Sequence, residues 1–576
     1  VNTDFVPATI DATSWTALEP LFTQLEIRPV QSAAELERWL LDRSELDAAC
    51  AEAQASLYIN MTCDTENTGV QEAYERYIKA VPPMLKPASF RLDRRYAELA
   101  SRFPVSPARY AVLDRDTRAE IELFRDENIP LQTELSLLSQ KYEQVCGTMS
   151  VQFDGREQTM PQMARYQDST DRRVRESAWR AVAERRLRDA DAIHEVYDKM
   201  VGLRDRVGRN AGFPSYVGYA FKSNHRFDYA PEQCFAFHRA CEQSIVPLVR
   251  ALNASRAKRL GVDRLRPWDL SVDPKGRPPL RPFEGGRQLV SRTVATFEQL
   301  DPRLAAMVRT LGDGSNTKGA STGDCLDLDS RKGKAPGGYQ YMRDRTRRPF
   351  IFMNAAGRVD DVQTMMHEAG HAFHSMVCND EPLLHYRQSP TEFAEVASMT
   401  MELLTMPYTK KAGFYATDEE HARANRDELE RRLSVLAWIA TIDAFQHWVY
   451  TNPGHSRAER EAYWLSLDDR FGAAVSWEGI EHVRRVTWQR QLHLFSHPFY
   501  YIEYGIAQLG AFGLWLTSLE KGEKTAIDLY LKALRLGGSK PLPELFAAAG
   551  LPFDFGPEIV GRITERVGRE LERMPE

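Results

Sequence analysis

The stretch Asp360-Asp361-Val362-Gln363-Thr364-Met365-Met366-His367-Glu368-Ala369-Gly370-His371-Ala372-Phe373-His374-Ser375-Met376 (360–376) governs the reading of this chain. Val362, Met365, Met366, Ala369, Phe373 and Met376 recur at spacings of three and four, which predicts an α-helix with one apolar side. Asp360 and Asp361 stand where a helix that starts there takes a cap and negative charge. His367, His371 and His374 fall at i, i+4 and i+7 and form a polar stripe. Within that stripe His367-Glu368-Ala369-Gly370-His371 reads His-Glu-x-x-His. Two imidazoles one turn apart reach a single divalent cation, and Glu368 between them lies close enough to handle a water at that cation. The pattern is that of a helix-borne zinc site. Chance alone produces it in a chain this long on the order of a few per cent of the time, so the flanking sequence has to carry the reading. His374 reads either as a donor behind the ligands or as a polar residue at the helix edge.

A catalytic zinc takes a third protein ligand and keeps one position for water. Ser389-Pro390-Thr391-Glu392 reads as a capping box with proline at the first helical position, opening a helix that continues Phe393-Ala394-Glu395-Val396-Ala397-Ser398-Met399 and stops before Pro407. Glu392 has a local explanation, because a glutamate at the third helical position returns to the capping backbone amide. Glu395 sits a turn deeper among Phe393, Val396 and Met399, where a carboxylate needs a strong partner. A metal is such a partner, so Glu395 is the expected third ligand ahead of Glu392. Glu402, two turns on, reads as a helix-face residue or a group behind the ligands.

The rest of the chain sets the frame. At 576 residues it exceeds one small core, with 43% hydrophobic and 27% charged residues and a net charge of −6, which is ordinary for a globular protein and unlike a nucleic-acid binder. The longest apolar run, around residues 505–516, is too short to cross a bilayer and reads as a buried helix. Val1-Asn2-Thr3-Asp4 gives no signal-peptide pattern, although the chain starts without methionine and is compatible with a removed leader. Seven scattered cysteines without a Cys-x-x-Cys pair argue for reduced thiols and a cytoplasmic setting.

Long segments without glycine or proline predict helices over 34–57, 117–145, 173–210, 231–259 and 419–450. Strands are expected at 149–159, where residues alternate around Asp154-Gly155 as in a hairpin, and at 349–354. Residues 311–338, rich in Gly, Ser, Asp and Lys, are expected to be loop and mobile in part. The expected organisation is an N-terminal helical lobe over 1–200 and a catalytic lobe over 201–576, the boundary being approximate.

With these motifs in place the chain resembles the oligoendopeptidase F family, relatives of thimet oligopeptidase and neurolysin. The resemblance covers most of the chain and rests on Arg-Lys-Gly-Lys-Ala-Pro-Gly-Gly-Tyr (331–339), Pro-Phe-Ile-Phe-Met-Asn (349–354), His-Glu-Ala-Gly-His-Ala-Phe-His (367–374), Phe-Ala-Glu-Val-Ala-Ser-Met (393–399) and Pro-Phe-Tyr-Tyr-Ile-Glu-Tyr (498–504). Phe153-Asp154-Gly155 and Asp-Ala-Phe-Gln-His-Trp (443–448) also fit. The resemblance implies a mainly α, two-lobed ellipsoid with a deep central channel and a small β-sheet beside the zinc helix. It implies one zinc per chain held by His367, His371 and Glu395, with Glu368 as general base acting on short unstructured peptides. It implies that His493, Tyr501 and Tyr504 contact substrate and oxyanion, with Tyr500 a possible substitute for Tyr501; without it, an aromatic core stripe would be preferred.

Phe350, Phe352 and Asn354 form a strand that reads as an edge able to pair with an extended peptide, as a buried strand of a small sheet, or as both. Tyr339 is expected in a flexible glycine loop contacting substrate. The Gly-Lys pair at 333–334 lacks the spacing of a phosphate loop. The expected activity is a zinc endopeptidase. The alternatives are a dipeptidyl carboxypeptidase with the same chemistry and a non-catalytic peptide-binding protein. Peptides are the only partners expected, with no nucleic acid or membrane. The sequence leaves the oligomeric state unknown.

Overall fold

The computed structural model describes residues 4–316, 325–331, 333–335 and 337–575. Most of these lie in helices. Those that build the site are α1 (Ala33–Cys63), α2 (Val359–Val377), α3 (Thr391–Leu404), α4 (Asp418–Thr451) and α5 (Tyr501–Lys521). The strands are β1 (Ser150–Phe153), β2 (Arg156–Thr159), β3 (Leu326–Asp329), β4 (Tyr339–Arg343) and β5 (Arg348–Ala355). β1 and β2 form the hairpin expected from Asp154-Gly155, both of which take positive φ (54° and 74°), the twist a two-residue turn requires.

Three expected helices are interrupted. The 117–145 segment divides into Pro107–Leu123 and Asn128–Gly147. The Arg125 guanidinium takes the carbonyls of Glu122 and Phe124 at 2.8 and 2.7 Å, and the buried Asn128 amide donates to the Val207 carbonyl at 3.1 Å. Arg125 thus satisfies the end of the first helix, and Asn128 ties the start of the second to the Ala190–Asn210 helix. The 173–210 segment divides at Asp189 into Arg172–Arg188 and Ala190–Asn210. The 231–259 segment stays helical but widens into a π turn over Cys241–Ile245 just before Pro247, which has no N–H to give.

Residues 311–338 are not all loop. Leu326–Asp329 forms β3 and pairs in parallel with β5, while β4 pairs with β5 antiparallel, giving the order β3-β5-β4. Residues 317–324, Lys332 and Pro336 of that segment lie outside the described residues. Fully buried Asp327 on β3 anchors the segment: Arg331 grips its carboxylate at 2.6 and 2.7 Å, and Lys334, also fully buried, bonds it at 2.8 Å. The 331–334 motif is therefore a structural clasp.

The central position of β5 follows from its composition. Phe350 and Phe352 face α1 and pack with Ile59 and Cys63, whereas Ile351 and Met353 join the core that contains Val362, Met365 and Met366 of α2. Both faces are apolar, as a covered strand requires. A separate core lies among residues 6–113, and two residues from the segment between α2 and α3, Leu383 and Tyr386, are buried in it. No helix among the described residues is long and apolar enough to cross a membrane.

Candidate metal centre

The metal motif lies on α2 as its periodicity predicts, with Met365, Met366, Ala369, Ala372 and Phe373 fully buried. Asp361 closes the helix start, its carboxylate accepting the N–H groups of Ala356 and Arg358 at 2.8 Å each. α3 lies against α2 at Gly370. A Cβ there would come within 2.5 Å of the Ala397 carbonyl and 2.6 Å of the Ser398 Cα. Only glycine permits this approach, which brings Glu395 to the two histidines.

Glu395 Oε2 lies 3.4 Å from His367 Nε2 and 3.6 Å from His371 Nε2. One donor atom from each of the three lies within 4.8 Å of the others. Ser398 Oγ donates to the same carboxylate oxygen at 3.0 Å. His367 Nδ1 lies 2.6 Å from Glu402 Oε1, so the proton sits on Nδ1 and the Nε2 lone pair faces the cluster. Burial lowers the pKa of His371 to about 4, which keeps that imidazole neutral. Two imidazoles and a carboxylate suit zinc, and the site fits such an ion. Glu402 is fully buried, and the Arg432 guanidinium lies against its other oxygen. This role of Glu402 was visible in sequence only as its seven-residue spacing from Glu395.

Glu392 does not contact the cluster, and the expected capping box does not form. α3 begins at Thr391 with Pro390 as its cap, and Ser389 Oγ is buried without a partner. Glu392 instead accepts the Tyr229 hydroxyl at 2.8 Å. His374 is buried behind the ligands; burial, then His371, lowers its pKa to about 3.

Glu368 is 6% exposed and its Oε2 has no partner. Burial, opposed by His367 and aided by Glu395, raises its pKa to about 7; a backbone bond from Gln340 of β4 opposes the rise. β4 is thus the edge of the sheet beside the metal ligands. Gln340, Tyr341 and Met342 line a cavity of about 280 Å³ together with His371, His374 and Arg387.

This geometry corrects the expected substrate contacts. β5 is flanked on both sides, so Phe350 and Phe352 are core residues and cannot pair with a peptide. The Asn354 amide holds the carbonyls of Ala335 and Gly337 at 2.7 and 2.9 Å, fixing the glycine turn. Tyr339 opens β4; its ring stacks on Phe352 and its hydroxyl bonds Thr62 Oγ1 at 2.6 Å, which commits it to the sheet–α1 junction. The aromatic period of two fits a covered strand as well as an open one, and sequence alone could not separate them.

The aromatic group at the start of α5 assembles as expected. The His493 ring lies 5.1, 5.7 and 5.9 Å from those of Tyr501, Tyr500 and Tyr504. The three phenols differ in what they face. Burial, and next the Glu395 carboxylate, raise the pKa values of Tyr500 and Tyr504, so both lie within electrostatic reach of Glu395. Tyr501 is raised by burial and pulled back by bonds to Trp438 and Gln491. Burial, then His497, lowers the His493 pKa to about 4, and its Nδ1 lies 2.8 Å from the Gln491 amide nitrogen.

A helical fold that brings three metal-binding donors beside the buried Glu368 carboxyl, unpaired at Oε2, defines a class of sites able to hold a divalent cation and a water. The comparisons specify it further. The model of "Peptidase family M3" matches residues 165–555, and the chain belongs to that family, which implies a metal cofactor. It is 26% identical over 204 residues to an oligoendopeptidase F homolog of Borreliella burgdorferi, covering 34% of each chain. It is 24% identical over 339 residues to oligopeptidase PepF of Bacillus subtilis, covering 58% of this chain and 47% of that one. The matches thus span between a third and a half of these relatives. Among solved structures, PZ peptidase A with an inhibitor superposes with a TM-score of 0.87 at 26% identity, over 99% of both chains. The oligoendopeptidase-F of Enterococcus faecium shares the fold, with a TM-score of 0.64 at 15% identity over 97% of both.

Proposed function

We propose that the chain is a zinc-dependent endopeptidase that hydrolyses internal bonds of short unstructured peptides. The observation that carries this reading is the buried Glu368 carboxyl, unpaired at Oε2, beside three converging donors. A purely structural metal site has no use for such a group. His367, His371 and Glu395 hold one zinc ion, with Glu402 and Ser398 fixing the orientation of two of them. When bound, zinc supplies Lewis acidity, acidifying a water and polarising the scissile carbonyl.

Glu368 accepts the proton of the attacking water at Oε2 and returns it to the leaving amine. Edge strand β4 holds the peptide backbone through main-chain hydrogen bonds, which read no side chain. Tyr504 and Tyr500 donate their hydroxyls to the developing oxyanion, and His493 positions their rings. Tyr501, turned to Trp438 and Gln491, supports the cluster from behind. The substrate lies in a channel between an N-terminal and a C-terminal lobe, narrow enough to exclude folded proteins. Seven scattered cysteines without a Cys-x-x-Cys pair support a cytoplasmic location.

The test is incubation with a peptide mixture, with and without chelator, and mass spectrometry of the fragments. Internal cuts that vanish with chelator are expected. Release of C-terminal dipeptides alone would favour a dipeptidyl carboxypeptidase, and intact peptides would refute the reading.

A further inference from the structure

Directly before the two tyrosines, Phe499 has a φ of +66°. This is the left-handed region, which a bulky L-residue holds only when its surroundings impose it. Here both of its backbone groups are gripped by buried side chains. Its N–H donates to Gln446 Oε1 at 2.6 Å, and its carbonyl accepts from Arg226 Nη2. Gln446 is fully buried on α4, and Arg226 is 4% exposed. The same Arg226 Nη2 donates to Glu503 Oε1 at 2.7 Å. Glu503 lies on the first turn of α5, between Tyr500 and Tyr504. One guanidinium therefore ties the turn that enters α5 to the helix itself. The Phe499 ring is fully buried against His447 and Tyr450, at 5.1 and 5.5 Å.

A competing use of this region is a second metal site, because Cys234, Asp443 and His447 also bring donors within 4.8 Å of one another. The Asp443 carboxylate is already bonded to His238 Nε2 at 2.8 Å and faces the Arg226 charge. A cation there would meet a fixed positive neighbour. The cluster instead braces the α4 turn that carries Gln446.

We propose that Arg226 and Gln446 are positioning residues: they clamp the backbone of Phe499 and thereby hold the Tyr500 and Tyr504 hydroxyls toward the metal ligands. The proposal rests on the reading that these tyrosines touch substrate. Without the clamp Phe499 relaxes to negative φ and the start of α5 shifts, while the metal ligands on α2 and α3 stay in place. A displacement of this kind misaligns groups that act in the transition state, so it lowers kcat more than it raises KM.

The test uses the full chain loaded with zinc and a quenched peptide. Arg226→Lys and Gln446→Leu should each lower kcat about tenfold or more, change KM by less than about threefold, and retain one equivalent of zinc. In the Arg226→Lys/Tyr504→Phe double variant the loss should fall well short of the product of the two single losses, because a misplaced hydroxyl has little left to lose. Gln446→Glu keeps the acceptor for the Phe499 N–H and should recover most of the kcat lost in Gln446→Leu. Strictly multiplicative losses, wild-type kcat in both clamp variants, or failure of both to fold would overturn the clamp. Wild-type turnover in Tyr504→Phe alone would instead remove the reading on which it rests.

Discussion

Glu368 and Glu402 are both buried carboxyl groups within reach of His367, yet their surroundings give them opposite work. Glu402 bonds His367 through one oxygen and sets its charge against the Arg432 guanidinium, so it orients a ligand. Glu368 keeps Oε2 unpaired beside the ligands, so it is available to water. Glu368→Gln should therefore retain a full equivalent of zinc by atomic absorption and lose roughly 10²–10⁴-fold in turnover of a quenched peptide. Glu402→Ala should show the reverse emphasis: about 10–100-fold weaker zinc affinity in a chelator competition, with turnover recovered at saturating metal. At this scale the metal ligands were legible because spacing and the cost of an unpaired buried carboxylate are local facts. The choice of Glu395 over Glu392 rested on its deeper place in the helix and on a capping box for Glu392 that does not form, although both carboxyl groups are buried. The partner of Glu392, Tyr229, lies 163 residues away and leaves no mark near it in sequence. That Glu395 acts on Tyr500 and Tyr504, whereas Tyr501 bonds Trp438 and Gln491, was equally hidden, since a helix start can present either residue until its entry turn is known.

Among the elements, the junction of α2 with α3 and the β3-β5-β4 sheet determine where the donors lie. Gly370→Ala would push a methyl group into the Ala397 carbonyl and separate the two helices. Zinc affinity measured by competition should drop while the helical circular dichroism signal persists, because the fault is in spacing, not in helix formation. The sheet depends on Asp327. Asp327→Asn leaves buried Lys334 without its countercharge and should lower stability by about 3–5 kcal/mol in denaturant titration. Burial raises the Asp327 pKa, but Arg331 and Lys334 outweigh it and hold the carboxyl below its ordinary value of 3.8. A group depressed in the folded state stabilises the fold above its unfolded pKa, and that contribution fades only as pH falls through the lower folded value. Helix identity and the β1–β2 hairpin were readable from periodicity and turn residues. β3 was not, because Leu-Asp-Leu-Asp reads as polar loop until the Asp327 carboxylate is known to be clasped by Arg331 and Lys334. The exchange of roles between β4 and β5 has the same origin: which strand is flanked is a property of the sheet.

For the whole molecule, the decisive feature is that two residues of the connection between α2 and α3, Leu383 and Tyr386, are buried in the N-terminal core. Tyr386 is fully buried there, its hydroxyl donates to the Arg109 carbonyl at 2.6 Å, and its own carbonyl accepts the Gly538 N–H at 2.9 Å. Ser44 of α1 adds two bonds to the same segment, to the Pro382 carbonyl at 3.1 Å and from the Leu384 N–H at 2.6 Å. The thirteen-residue connection, 378–390, thus joins α2, α3, the N-terminal bundle and the C-terminal helices. Loss of packing in the first hundred residues must then be felt at the zinc site without any change in a ligand. Tyr386→Ala should destabilise the fold by about 3–5 kcal/mol through the cavity it leaves. It should also weaken zinc binding and peptide hydrolysis together, whereas Tyr386→Phe, which keeps the ring and loses only the hydroxyl bond, should cost about 1 kcal/mol and leave both nearly intact. Zinc affinity, turnover and melting temperature measured on the two variants check this. Unchanged metal affinity in a clearly destabilised Tyr386→Ala protein would show that the N-terminal core and the metal centre are energetically separate.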